Sequence, residues 1–167
     1  FSVKVGHFYT IIGYEGVPAI NNFFYSKSYA YQFAGPFTHW GGLATWHVND
    51  RVTLQGGLVN GWDSLDRDKD SATGLASIKY SAPNDFWSLS FAMVTGNEPS
   101  AVATRFEPRT RYSAIFTLHP AERWEYVFHH HYAYQNQGKL DGGTARWYGI
   151  DNYLYYALTE QLRAGLR

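Results

Sequence analysis

Hydrophobic and polar positions alternate with a period of two along almost the whole chain, while the 3.6-residue spacing of an amphipathic helix is nearly absent. The alternation predicts nine strands, over about 2–9, 38–48, 51–62, 73–82, 86–95, 109–119, 123–134, 146–158 and 161–167. Most reach ten residues or more, whereas strands of soluble domains run to about 5 or 6. A tilted strand that crosses a bilayer needs about 9 to 11 residues. No apolar run approaches the roughly 20 residues of a transmembrane helix, so a helical membrane protein is excluded.

The connections are sorted by length. "VNDR" (48–51), "APND" (82–85), "HPAE" (119–122) and "TEQ" (159–161) are tight turns with Pro, Asn and Asp at turn-forming places. Between them come long polar links at 63–73, 96–109 and 135–145. Short turns alternating with long loops are the connection pattern of outer-membrane barrels. Asn60-Gly61 is a strong hairpin dipeptide and competes with Trp62 as the end of the third strand.

One face of the predicted strands suits lipid. Trp87, Leu89, Phe91 and Met93, then Tyr112, Ala114, Phe116 and Leu118, then Trp124, Tyr126 and Phe128 share a register without a charge. The opposite register carries Ser88, Ser90, Arg111, Ser113, Arg123, Glu125, His129 and His131. Trp46, Tyr80, Trp87 and Trp124 lie in the apolar register near short turns, and Tyr9, Tyr112 and Tyr132 or Tyr134 lie toward the long loops. Two aromatic girdles at the membrane interfaces account for this distribution. His130 falls in the lipid register and requires a place near an interface. Asp151 and Asn152 fall on opposite faces, so one of them must be accommodated near lipid.

Residues 10–37 break the pattern. They carry aromatic side chains but no strand or helix period, and a connection of that length is uncommon without a function. The apolar content predicts a loop folded into the lumen, where it narrows a pore and filters solutes by size and charge. Glu15 and Lys27 are its only charges, and Tyr14 and Asn22 join them as candidate constriction residues. The predicted pore-lining wall comprises Lys4, Lys79, Arg111, Arg123, Glu125, His129, His131, Asp151 and Arg163.

Composition narrows the rest. The chain has 167 residues, 19 % of them aromatic, with 14 basic and 14 acidic side chains and no cysteine. Balanced charge leaves no electrostatic footprint for nucleic acid. Lack of Cys excludes disulfides and thiolate metal sites. The chain starts and ends within strand-like sequence and without Met, and is expected to be a segment of a longer barrel, with its outer edges closed by further strands.

Candidate chemistry is sparse. In "HHH" (129–131) only His129 and His131 share a face, and the spacing supplies no clear third ligand, although Glu125 is on the same side. Asp66, Asp68 and Asp70 open like a calcium loop, but Ser71 and Ser77 stand where Gly and Glu are required. No nucleophile elbow or phosphate loop is present. The expectation is therefore no catalytic residue, no metal and no cofactor.

The segment "KVGHFYTIIGYEGVPAINNFFYSKSYAYQFAGPFTHWGGLATW", followed by "LQGGLVNGWDSLD", resembles the OmpL-like outer-membrane β-barrel porins. Gly6 with Phe8 and Tyr9, Ile12-Gly13-Tyr14-Glu15, Asn22 to Ser26 with Ser28-Tyr29, Pro36 with Thr38 and His39, and Gly61-Trp62-Asp63 carry the resemblance, over residues 4–65. It implies an all-β, antiparallel, up-and-down transmembrane barrel in the bacterial outer membrane, with the lipid bilayer and small polar solutes as partners. A homo-oligomer is an expectation by analogy with porin trimers. Two rival readings stay open: a non-conducting adhesin or structural barrel, and a soluble aromatic-rich carbohydrate-binding β-protein.

Overall fold

A computed structural model describes residues 1–65, 72–101 and 105–167. The acidic run at Asp66, Asp68 and Asp70 lies outside the described residues. Nine antiparallel strands form one meander in chain order: β1 (Ser2–Tyr9), β2 (Thr38–His47), β3 (Val52–Val59), β4 (Thr73–Ser81), β5 (Trp87–Pro99), β6 (Phe106–Ala121), β7 (Trp124–Gln135), β8 (Ala145–Ala157) and β9 (Arg163–Leu166). Every sequential pair is joined by a ladder, and β1 and β9 are the two edges.

Several boundaries differ from the sequence reading. β3 ends at Val59, before Asn60-Gly61. Gly61 has φ of +92° and Asp63 +52°, so the chain turns there in a conformation that a strand cannot continue. The link expected over 96–109 contracts, because β5 runs to Pro99 and β6 starts at Phe106. Gly, Pro and Glu read as loop signals, but the antiparallel ladder persists through Asn97↔Pro108 and Glu98↔Glu107. Glu98 is fully buried and its Oε1 accepts from the Trp62 backbone N–H at 3.0 Å, which supplies the tertiary reason for the extension. Finally, Arg123 lies in the turn between β6 and β7 and is exposed, so it sits at the rim instead of on the wall. A register shift between Leu118 and Ala121 creates that turn geometry.

The two faces of the sheet have opposite character. Val5, Leu58, Ile78, Leu89, Phe91 and Ile150 are exposed on the outer face. On the inner face Leu43, Leu75, Val94, Val127 and Tyr153 are at most 2 % exposed, as are the polar His39, Thr73, Glu98, Ser113 and His129. Exposing so many large apolar side chains to water costs roughly 25 cal/mol per Å², and a contiguous band of them marks a lipid or partner surface.

Trp46, Tyr80, Trp87 and Trp124 stand on the outer face toward the short turns, with ring contacts Tyr80–Trp87 at 5.2 Å and Trp124–Tyr156 at 4.6 Å. Toward the long loops, Tyr112, Tyr132 and Tyr148 form a cross-strand row on the same face. Tyr9, at the end of β1 and paired with Thr38, is at that same end. His130 faces outward, 5.6 Å from the Tyr112 ring. Asn152 also faces outward, and its Oδ1 accepts from the Tyr126 hydroxyl at 2.6 Å. That bond removes much of the cost of an amide facing hydrocarbon.

Close strand approach at β2 and β3 explains two glycines. A Cβ on Gly57 would collide with the Gly42 carbonyl, and one on Gly41 with the Leu58 carbonyl. Both lie on the inner face, next to the buried Leu43 and Val59.

Candidate functional site

Residues 10–37 leave the top of β1 and cross the inner face before returning into β2. The segment holds one 3-10 turn (Ala19–Asn21) and a single short helix, α1 (Tyr29–Phe33). Ser28 caps α1, with its hydroxyl accepting from the Tyr31 N–H at 3.1 Å. With so little regular structure, the loop's backbone must find its partners in side chains.

Its two ends are pinned by polar side chains. Thr10 Oγ1 is 2.9 Å from His39 Nε2, and His39 Nδ1 is 2.9 Å from the Gly61 carbonyl. A carbonyl only accepts, so Nδ1 carries the proton and Nε2 accepts from the Thr10 hydroxyl. At the returning end, Asp63 Oδ1 accepts from the backbone N–H groups of Phe37 and Thr38 at 2.8 and 2.7 Å. Its left-handed backbone aims the carboxylate at them.

The middle of the loop is organised around Asn22 and Glu15. Asn22 accepts from the Gly16 N–H at 3.0 Å and donates to the carbonyls of Gly16 and Pro18 at 2.9 and 2.8 Å. Lys27 donates to the same Gly16 carbonyl at 2.7 Å and lies over the Tyr31 ring at 4.4 Å. Glu15 Oε2 accepts from the Ser28 N–H and hydroxyl at 2.8 and 3.1 Å. Its Oε1 accepts from the Tyr153 hydroxyl at 3.3 Å and from Arg167 Nη1 at 2.9 Å. The Glu15 side chain is only 5 % exposed, so its charge is balanced by Arg167 beside the loop rather than presented to solvent.

Aromatic packing attaches the loop to β8. Tyr14 packs against Tyr153, ring centroids 4.6 Å apart and planes tilted by 48°, and donates to the Tyr155 hydroxyl at 3.3 Å. Burial, and then that hydrogen bond, push the Tyr14 phenol above its ordinary range. Phe23 meets the Tyr155 ring at 5.1 Å, and Trp147 Nε1 donates to the Ala34 carbonyl at 3.0 Å. Trp147 also packs against the apolar cluster of Phe8, Ile12, Leu43 and Leu75. β1 and β8 are seven ladder steps apart, about 34 Å in a flat sheet at ~4.8 Å per strand. The loop bridges that span.

Beside the loop a cavity of about 180 Å³ is lined by Tyr14, Glu15, Asn22, Tyr155 and Arg163. The Arg163 guanidinium lies 4.1 Å from the centre of the Tyr155 ring and 2.9 Å from Glu125 Oε2. The other wall residues are dispersed. Lys4 is on β1 with its ammonium 5.7 Å from the Phe8 ring, and Lys79 is exposed on β4. Arg111 is buried on β6 and shares a pocket with Glu15 and His129. His129 Nε2 is 2.9 Å from Ser113 Oγ, and its Nδ1 is 3.2 Å from Asp151 Oδ2. His131 is beside His129, with ring centroids 5.6 Å apart.

Thus the structure brings together Tyr14, Glu15, Asn22, Arg163 and Glu125, and separately Arg111, His129, His131 and Asp151. Lys4 and Lys79 join neither group. The partners not singled out from sequence are Arg167, Ser28, Tyr153, Tyr155, Trp147 and Asp63. Of these, Asp63 in Gly61-Trp62-Asp63 and Ser28 in Ser28-Tyr29 lay in the motifs that carry the resemblance.

A meander of long strands with an apolar outer face, a polar inner face and an inserted loop defines an outer-membrane β-barrel protein. The whole chain, residues 1–167, matches the family described as "Putative beta-barrel porin-2, OmpL-like". The chain belongs to that porin family, and its fold agrees with the antiparallel barrel expected from the sequence. Comparisons with curated proteins and with solved structures gave no match.

Proposed function

We propose that the protein is a porin-like channel for passive diffusion of small polar solutes or ions across the bacterial outer membrane, and that residues 10–37 form its constriction. The docking of that loop on the inner face carries the reading. A loop held by Glu15–Arg167 and Tyr14–Tyr155 occupies the space that solutes must traverse. Size selection follows from its bulk, and charge selection from side chains that stay accessible beside it. Lys4, Lys79 and Arg163 are accessible cations of the wall, whereas Glu15 and Lys27 serve first to fold the loop. The mechanism uses no cofactor and no covalent step.

In a bilayer the free edges of β1 and β9 must be paired, because hydrocarbon offers no substitute for a strand partner. We infer that further strands close the barrel. A soluble carbohydrate-binding protein would not carry the apolar outer face described above. Planar-bilayer recording of the whole protein tests the channel reading. Discrete conductance steps that grow when residues 18–30 are deleted support it, and a silent bilayer with correctly folded protein leaves a non-conducting structural barrel.

A further inference from the structure

We propose that His129, His131 and Asp151 form a binding site for a divalent transition-metal cation such as Zn²⁺ on the inner wall. His129 and His131 are two apart on β7, so both rings project from one face. Asp151 is the residue directly opposite His129 on β8. One donor atom from each of the three side chains falls within 4.8 Å of the other two. Metal–nitrogen bonds are about 2.0 to 2.1 Å, which places two donors on one ion at most about 4 Å apart, so a small side-chain rotation closes the site.

A second observation points the same way. His131 is 5 % exposed and its Nδ1 has no hydrogen-bond partner; Asp151 Oδ2 lies near His129 without an aligned hydrogen bond. A buried imidazole nitrogen left unpaired costs free energy that a metal would recover. Space is also reserved. A Cβ on Gly149, opposite His131, would press against the imidazole ring, so Gly at that position lets the ring lie flat on β8.

Two imidazoles and one carboxylate with open positions are a donor set for Zn²⁺ and its neighbours and a poor one for Mg²⁺ or Ca²⁺, which require oxygen. Ser113 orients His129 through Nε2 and leaves Nδ1 for the ion. Arg111 is a cation within electrostatic reach of His131 and Asp151, and its Nη1 lies beside Gly35 in the loop, where a side chain would stand. The site does not depend on whether the barrel conducts.

Co²⁺ titration of the whole protein in detergent micelles is the test. The expected result is a visible spectrum of a nitrogen-coordinated, low-symmetry ion saturating at one Co²⁺ per chain, displaced by Zn²⁺ but not by Mg²⁺. His131→Ala and Asp151→Asn each weaken binding by about 100-fold or more, beyond the 10- to 100-fold typical of losing an outer partner. His130→Ala, on the outer face, leaves it unchanged. Heat-modifiable gel migration identifies folded variants, and if one variant fails to fold the other decides. A wild-type spectrum no different from the hydrated ion, or binding unaltered in a folded variant, overturns the site.

Discussion

Glu15 Oε1 lies 2.9 Å from Arg167 Nη1, joining the loop after β1 to the residue just past β9. The pair ties the loop to the far edge of the sheet, and Arg167 also donates to the Ser26 carbonyl and hydroxyl at 2.8 and 3.0 Å. Glu15→Ala strips the Ser28 N–H, the Tyr153 hydroxyl and Arg167 of a shared acceptor. Leaving such groups unsatisfied costs about 1–3 kcal/mol each where they are buried. The loop should therefore become sensitive to proteases between residues 16 and 27, read by limited proteolysis and mass spectrometry, while Glu15→Gln keeps part of the network and shows a smaller effect.

Deleting residues 18–30 removes the Ser28 cap and the first two residues of α1, Asn22 and Lys27 together. Single-channel conductance should rise and ion selectivity fall, because the wall alone is wider than the wall with its loop. Unchanged conductance in both this deletion and Glu15→Gln would show that the loop does not constrict the pore.

Tyr14 gives the loop an alkaline limit. Its folded-state pKa is raised by burial and by the bond to Tyr155, so the native loop binds a proton that the undocked loop releases above about pH 10, the ordinary phenol value. The undocked state binds fewer protons there, and docking stability falls as pH climbs. Proteolytic or fluorescence reporters of loop docking should show release above that pH, and Tyr14→Phe should weaken the pH dependence without abolishing it.

The two faces predict opposite responses to charge. Phe91→Lys on the outer face, midway between the Trp87 and Tyr112 levels, should reduce folding into lipid vesicles by roughly 2–4 kcal/mol. Ser90→Lys, one residue before it and facing inward, should fold normally and shift ion selectivity toward anions. Equal penalties for both would contradict the assigned faces.

Gly57→Ala should destabilise the barrel by about 1–3 kcal/mol through overpacking, since its Cβ collides with the Gly42 carbonyl. Gly56→Ala, whose Cβ meets open space, is the control. Thermal loss of heat-modifiable migration measures both.

Strand number and face were legible in the sequence because they are local, whereas the link expected over 96–109 was shortened by the ladder of β5 and β6. A period of two is imposed residue by residue, so Leu89 and Ser90 declare opposite faces before any partner is known. Asn60-Gly61 offered an earlier end of β3 as an alternative to Trp62, and the structure ends the strand just before that dipeptide. The tertiary structure decided what depends on register and curl. Asp151 stands beside His129 only because β7 and β8 pair in one alignment; a one-residue slip would send it outward. Glu15 meets Arg167 across 152 positions of sequence because the loop crosses the inner face of the sheet. No local pattern records that contact, since its energy comes from burial and hydrogen bonding that exist only after nine strands have assembled around the loop.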